Sequence, residues 1–399
     1  MILKDTLKEI VKLQREELKK QDAGIPRSII KKIDMESPHA IIISGIRRCG
    51  KSTLLRQIMK RMNKFYYFNF EDSRATDFEL ADFEKLNQIF RELHGQSKHY
   101  FFDEIQNVPG WEKFVRRLQD IGKKVFIIGS NASLLSKELG TRLTGRHLTY
   151  ELFPFSYAEA LELKKQKPSA SNFQRYLAEG GFPEYIKHNN NEILQHIFKD
   201  VIMRDIVARY NLRNTKTIRE LALYLLTNTS KEFTYNQLRK TFDTGSTNTI
   251  ISYISYYEDS YLLFTIPQFN YSYKKQLKKA KKAYMIDTGI IKANSVSFSE
   301  DKGRMLENSV FLNLRRKYKD IYYYKGEYEC DFLIKEKGKI TQAYQVCYEL
   351  NEENKKREIN GLKEAMEKLK IKKGTIITFN QKDKLGRIEV IPSHKNFFN

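Results

Sequence analysis

Between residues 40 and 155, apolar runs alternate with helical patterns. The runs are AIIISG, KFYYFNFED, KHYFFDEI and KVFIIGSN, and the helical patterns follow Lys51 and recur near 82–94 and 110–121. Strands apolar along most of their length, rather than at every second position, are buried on both faces. This predicts a parallel sheet covered by helices, a doubly wound α/β core over 38–155. Residues 1–37 predict a basic amphipathic helix, with Ile10, Leu13 and Leu18 free to pack on the next domain rather than on a membrane surface.

Residues 156–210 are helical in pattern and are expected to form a lid. Over 211–290 three helical stretches, TKTIRELALYLLTNT, TYNQLRKTF and TNTIISYISYYEDS, precede two strand-like runs, YLLFTIPQF and KKAYMIDTG. That order predicts the winged variant of a helix-turn-helix. Residues 291–399 open with a helix, RMLENSVFLNLRRKY. Strands IYYYKG, ECDFLIKEK and TQAYQVCYEL follow, then a helix near 355–370 and a last strand, KGTIITF.

The first apolar run ends in Gly45-Ile46-Arg47-Arg48-Cys49-Gly50-Lys51-Ser52, followed by Thr53, which matches G-x-x-x-x-G-K-[ST]. Glycines let backbone N–H groups curl around phosphates, and a helix starting at Lys51 turns its positive dipole end toward them. Lys51 is the expected partner of β- and γ-phosphates and Ser52 of Mg²⁺. A strand before the loop and a helix after it make a chance glycine turn a poor alternative. The run KHYFFDEI ends in Asp103 and Glu104, which suits Asp103 to the metal and Glu104 to polarising water. VFIIGSN ends in Ser130 and Asn131, either contacts to the γ-phosphate and water or turn residues. Arg142 and Arg146 are candidates to act from a neighbouring subunit on the transferred phosphoryl group, or are surface arginines. ATP and Mg²⁺ are the expected cofactors.

Charge adds a second expectation. Lys+Arg 71 against Asp+Glu 49 gives a net +22, which attracts polyanions, DNA first among them, although a lysine-rich genome would raise the same number. The basic residues cluster: Lys274, Lys275, Lys278, Lys279, Lys281 and Lys282 lie between the two strand-like runs, flanked by Tyr271 and Tyr273. Arg239 and Lys240 lie on the helix-turn-helix part. These are candidate DNA contacts, with a solvated loop as the alternative. No window approaches the roughly 20 apolar residues of a membrane span. Three cysteines, Cys49, Cys330 and Cys347, form no disulfide pattern. A cytoplasmic protein with reduced thiols is expected.

The stretches GIRRCGKST, FFDEIQNVPGWE, GSNASLLSKELGTRLTGRHLTYELFPFSYAEA, GGFPEY and RDIVARYNLR resemble the AAA-type ATPases that carry a DUF4143 C-terminal region. The resemblance covers about 35–399, and 130–159 is its most family-specific part. It implies an ATPase core that meets its copies in a ring, with a hexamer as the candidate ring size, a winged-helix segment, and a C-terminal fold similar to PD-(D/E)xK nucleases. In that pattern Glu307 matches the helix acid and Asp331 the strand acid. The Glu-x-Lys position reads Gln345-Val346-Cys347, which lacks both the third carboxylate and the lysine. The expected function is therefore an ATP-hydrolysing protein that binds and remodels or translocates DNA. One alternative is an ATP-dependent switch that binds a partner without translocation, and another is an ATP-coupled nuclease.

Overall fold

A computed structural model describes residues 1–130, 145–296 and 301–398, and the chain divides into two compact units, Met1–Leu152 and Phe153–Asn399. The first unit is built on helix α1 (Lys4–Lys20), strand β1 (Ala40–Ser44), helix α2 (Lys51–Met59), strand β2 (Tyr66–Asn69) and helix α3 (Asp82–His94). Strand β3 (His99–Asp103), helix α4 (Trp111–Asp120), and strands β4 (Lys124–Gly129) and β5 (His147–Glu151) complete it. The strands form one sheet in the order β2-β3-β4-β1-β5, every pair parallel. Every residue of β1 is buried, the both-faces burial that its unbroken apolar run requires. One side of the sheet is filled by aromatic rings, with Phe83 stacked on Phe114 and Phe70 edge-on to Phe78.

Helix α1 buries Leu7, Ile10, Val11 and Gln14, whereas Leu13 and Leu18 are only half-buried. The expected face is thus turned by part of a helical step. The reason is Gln14, which completes the ladder of the edge strand β2. Its amide nitrogen donates to the Asn69 carbonyl at 3.1 Å, and its amide oxygen accepts from the Asn69 N–H at 2.9 Å. A polar side chain is buried here because it satisfies the backbone that an edge strand leaves open.

The second unit begins with helices α5 (Tyr157–Lys164), α6 (Ala170–Glu179), α7 (Pro183–His188) and α8 (Asn191–Asp200). Next come α9 (Thr215–Thr227), β6 (Glu232–Phe233), α10 (Tyr235–Thr241), α11 (Thr247–Asp259), β7 (Leu263–Pro267), α12 (Tyr273–Lys278) and β8 (Lys281–Met285). The three strands form an antiparallel sheet, β6-β8-β7. The lysine run forms the short helix α12 rather than an irregular loop, started by the Ser272 side chain accepting from the Lys275 N–H.

Helices α13 (Thr288–Asn294) and α14 (Lys302–Arg315) lead into β9 (Ile321–Lys325), β10 (Glu329–Glu336) and β11 (Lys339–Val346). Helix α15 (Glu352–Lys368) and strands β12 (Gly374–Thr378), β13 (Asp383–Leu385) and β14 (Ile388–Pro392) follow, in a six-stranded sheet β13-β14-β12-β11-β10-β9. The last two strands escape the sequence pattern, because β13 is the short, charged Asp383-Lys384-Leu385, joined to β14 by a hairpin turned at Gly386 (φ 64°).

Asp287 ties this unit together. Buried, it accepts from the N–H groups of Gly181 at 2.6 Å and Ile290 at 3.1 Å, so it holds the GGFPEY loop to the start of α13. A Cβ on Gly180 would lie 2.1 Å from its carboxylate and one on Gly181 2.2 Å from the Phe155 carbonyl, which explains the glycine pair in that motif. Replacing Gln14 by Met should cost about 1–3 kcal/mol, since both backbone groups of Asn69 lose a partner. Urea denaturation that separates the two units by probe would read this as an earlier transition of the first unit alone.

Candidate phosphate-binding site

Open parallel sheets place ligands at the carboxyl ends of their strands, where connections leave in opposite directions. Here β1 lies between β4 and β5, so the 45–52 loop emerges beside the ends of β4 and β3. Gly45 leaves β1 pressed against the chain: a Cβ there would sit 2.1 Å from the Leu152 carbonyl oxygen. Gly50 turns the loop into α2 with φ 100°, a conformation that costs an L side chain heavily. Arg48 also has positive φ (63°). The Cys49 thiol donates to the Leu152 carbonyl at 3.4 Å, and burial pushes it up in pKa, so it packs as a small apolar group. Ile46 is buried with it. Arg47 reaches out of the loop to Glu71 at 3.4 Å.

Lys51 is buried, and its ammonium donates to the carbonyls of Gly45 at 2.9 Å and Ile46 at 3.1 Å. Its charge therefore rests on the loop's own oxygens. The Ser52 hydroxyl donates to Asp103 Oδ2 at 3.1 Å, which joins the first turn of α2 to the end of β3. A hydroxyl and a carboxylate meeting this closely are the oxygen donors a hard divalent cation takes. Thr53 lies next along α2, and its hydroxyl accepts from Arg56 at 3.0 Å.

Asp103 is driven up to about 7 by burial first and then by the neighbouring Glu104 charge, with Lys51 and the Ser52 hydroxyl pulling the other way. Glu104 is likewise raised by burial, with Lys51 opposing. It adopts φ 52°, and its carboxylate accepts from the Gln106 side-chain amide and, at 3.3 Å, from the Ser130 N–H. Ser130, at the end of β4, thus meets Glu104 through its backbone. Asn131 and Arg142 lie outside the described residues. Arg146 precedes β5, and its carbonyl accepts from Ala40 at the start of β1, so it lies at the opposite end of the sheet from its own loop. It pairs with Asp120.

Pattern reasoning missed Arg27. This residue is buried, and its Nη1 donates to the Cys49 carbonyl at 2.8 Å, within the loop. Gln57 of α2 clamps the preceding segment, donating to the Ala23 and Ile25 carbonyls at 2.7 and 2.6 Å. No periodicity flags a lone arginine in a connecting segment.

The expected DNA-contact residues divide. Lys240, Lys274, Lys275 and Lys278 are exposed, Arg239 and Lys279 half-buried, and Arg239 bonds Asn236 at 3.2 Å. Lys281 is half-buried near the Tyr235 ring. Lys282 corrects the expectation: only 3% exposed, it is ion-paired to Glu307, Glu329 and Asp331 and is unavailable to a phosphate backbone. Strand alternation on β8 turns it inward.

Comparison with known proteins matches the AAA domain family over residues 37–161 and a domain of unknown function, DUF4143, over 302–395. A second domain of unknown function, DUF8612, matches 170–300. An uncharacterized protein of Methanocaldococcus jannaschii is 39% identical over 432 aligned residues, covering 99% of this chain and 96% of its own. An uncharacterized protein of Haemophilus influenzae is 29% identical over 335, covering 78% and 83%. Among solved structures, the Walker-type ATPase PABY2304 of Pyrococcus abyssi aligns over 66% of this chain and 93% of its own at 14% identity and a TM-score of 0.41.

Because Asp103 and Glu104 are raised above their unfolded values, the stability they contribute is present at low pH and is lost as pH rises through about 7. Without nucleotide, the first unit should melt lower at about pH 8 than at about pH 6, and Asp103→Asn should remove most of that difference. Calorimetry at both pH values on both proteins checks this.

Proposed function

The chain belongs to the AAA-type ATPases that carry a DUF4143 C-terminal region, and from that footing we propose that it binds ATP with Mg²⁺ at 45–53 and hydrolyses it. The observation that carries this is the meeting of Ser52 Oγ and Asp103 Oδ2 at 3.1 Å with Glu104 the next residue, beside the buried Lys51 ammonium. Mg²⁺ held by Ser52 and Asp103 would supply charge neutralisation at the β- and γ-phosphates. Lys51 exchanges the Gly45 and Ile46 carbonyls for phosphate oxygens, and the N–H groups of Gly50, Lys51 and Ser52 complete the cradle. Glu104, once ionised, orients a water and takes its proton as the oxygen attacks the γ-phosphorus and the bond to ADP breaks. Arg146 serves a neighbouring copy's site rather than its own, consistent with its place at the far end of the sheet; Arg142 and Asn131 complete the candidate set.

We further propose that the second unit binds DNA, through a winged helix formed by α9, α10, α11 and the three-stranded sheet, and that hydrolysis remodels or moves that DNA. Tyr271 and Tyr273 support this reading: at 83% and 71% exposed, they stand beside Lys274, Lys275 and Lys278 as a basic aromatic surface. Phosphate contacts and ring stacking bind nucleic acid with little sequence preference.

Lys51→Ala should abolish ATP binding. Glu104→Gln should keep binding while hydrolysis falls about 10²–10⁴-fold. Nucleotide titration and phosphate release separate the two, and a Lys51→Ala protein that hydrolyses at the parental rate sinks the reading. Reversing Lys274, Lys275 and Lys278 to Glu should weaken DNA binding and lower the salt slope by about 2–3. A hydrolysis rate indifferent to duplex, single strand and junction would favour a nucleotide switch over a motor.

A further inference from the structure

The carboxylates of Glu307, on α14, and Asp331, on β10, lie on neighbouring elements around one buried point. The acid arrangement expected of a nuclease-like fold would take a divalent cation there. The residues present do not fit one. The Lys282 ammonium already stands among them, 3.3 Å from Glu307 Oε1, 3.1 Å from Asp331 Oδ1 and 2.5 Å from Glu329. The remaining positions offer no free ligand: the Gln345 amide oxygen accepts from the Asp331 N–H at 3.3 Å. Gln345 donates to Glu358 at 2.6 Å, and the Cys347 thiol, pushed up to about 11 by burial and then by Glu358, donates to the Glu349 carbonyl.

The second oxygen of Asp331 accepts from the Val346 N–H at 2.9 Å, and Glu307 Oε1 also accepts from the Tyr284 hydroxyl at 2.7 Å. The ammonium thus donates to Glu307 and Asp331 and is ion-paired to Glu329 as well. Lys282 comes from β8, the middle strand of the three-stranded sheet, where it pairs in register with Glu232 and Ile266. The acids come from the six-stranded part. Further bonds cross the same seam: Lys325 to Glu232 at 2.5 Å, Gln268 to the Lys325 carbonyl at 2.9 Å, and Asn308 with both backbone groups of Met285.

We propose that Lys282 is a tethered counter-ion that takes the place of a divalent cation among Glu307, Glu329 and Asp331, clamping the three-stranded sheet onto the six-stranded part. Coulomb's law gives the reason for the position. Carboxylates gathered out of water repel strongly and need a cation, and a covalently attached one is present at full occupancy whatever the metal supply. Burial alone would strip the proton from Lys282; Glu307 most, then Tyr284, Asp331 and Glu329, outweigh it and hold the ammonium charged. Glu307 is raised to about 7, by burial first, so the excess negative charge of three acids on one ammonium is relieved by a proton. The C-terminal fold accordingly joins segments and does not cut DNA.

The test uses the full chain without nucleotide, in an Asp103→Asn background so that the acidic pair of the first unit adds no metal response. The parental protein should melt at the same temperature in chelator and in Mn²⁺. Lys282→Met should melt about 10 °C or more lower in chelator and recover at least half of that loss in Mn²⁺. Lys282→Met with Asp331→Asn should show no recovery. Lys282→Met with Glu307→Gln and Asp331→Asn should melt within about 3 °C of the parent without metal, which keeps the idea testable should the single variant fail to fold. A Lys282→Met protein as stable as its parent in chelator, a parental protein that gains as much from Mn²⁺, or a neutralised triple variant that does not fold would each overturn the clamp.

Discussion

The first unit depends on one close approach: Gly45 lies against the Leu152 carbonyl where β1 ends, at a separation no Cβ permits. Strand β1 is paired on both sides, by β4 and β5, and buried along its whole length, so it can shift neither sideways nor along its axis. The backbone after it must therefore pass the Leu152 carbonyl before it turns, and only glycine fits there. From that turn the loop curls back, Lys51 comes to rest on the loop's own carbonyls, and Ser52 arrives at Asp103. Arg27 secures the loop from behind through the Cys49 carbonyl. The course of the 45–52 loop is a consequence of strand packing.

Buried carboxylates recur in this protein, and each set is handled differently. Asp103 and Glu104 are desolvated and raised, with a lysine close by whose ammonium, among the described residues, donates to the neutral carbonyls of Gly45 and Ile46. In the proposed function that arrangement keeps charge in reserve for a ligand bringing both phosphate and metal. Glu307 and Asp331 are desolvated too, but their lysine is bonded directly to them. Asp287, raised to about 6 by burial, is answered first by backbone N–H groups and only then by the Arg316 charge. The partner decides the outcome. Neutral carbonyls leave a lysine able to exchange, a direct ion pair removes that freedom, and N–H groups make a carboxylate a structural joint.

Most of the first unit was legible because its signals are local. Unbroken apolar runs specify doubly covered strands, the glycine spacing of 45–50 specifies the loop, and the acid pair ends the strand on which it is found. Over 211–290 the three longer helices and the two longer strands were legible for the same reason, whereas the two-residue strand β6 and the helix α12 were not. Legibility fails where partners are distant in sequence. Arg27 acts on a loop 22 residues away, Gln14 on a strand edge 55 away, and Lys282 on Asp331, 49 away. None of these contacts leaves a periodic trace.

Lys282 shows the division most sharply. Within its run, KKQLKKAKK, it is one lysine among several, and composition makes each a candidate for solvent or DNA. Pairing in the middle of the three-stranded sheet turns this one inward, onto acids supplied by a helix and a strand that follow it in the chain. The sequence by itself determined four of the five strands of the first sheet, the glycine spacing of the 45–52 loop, and that the Glu-x-Lys position reads Gln345-Val346-Cys347. Only the tertiary structure decided which cation answers those acids, because a buried charge is matched by whatever folding brings within about 3 Å, not by its neighbours along the chain.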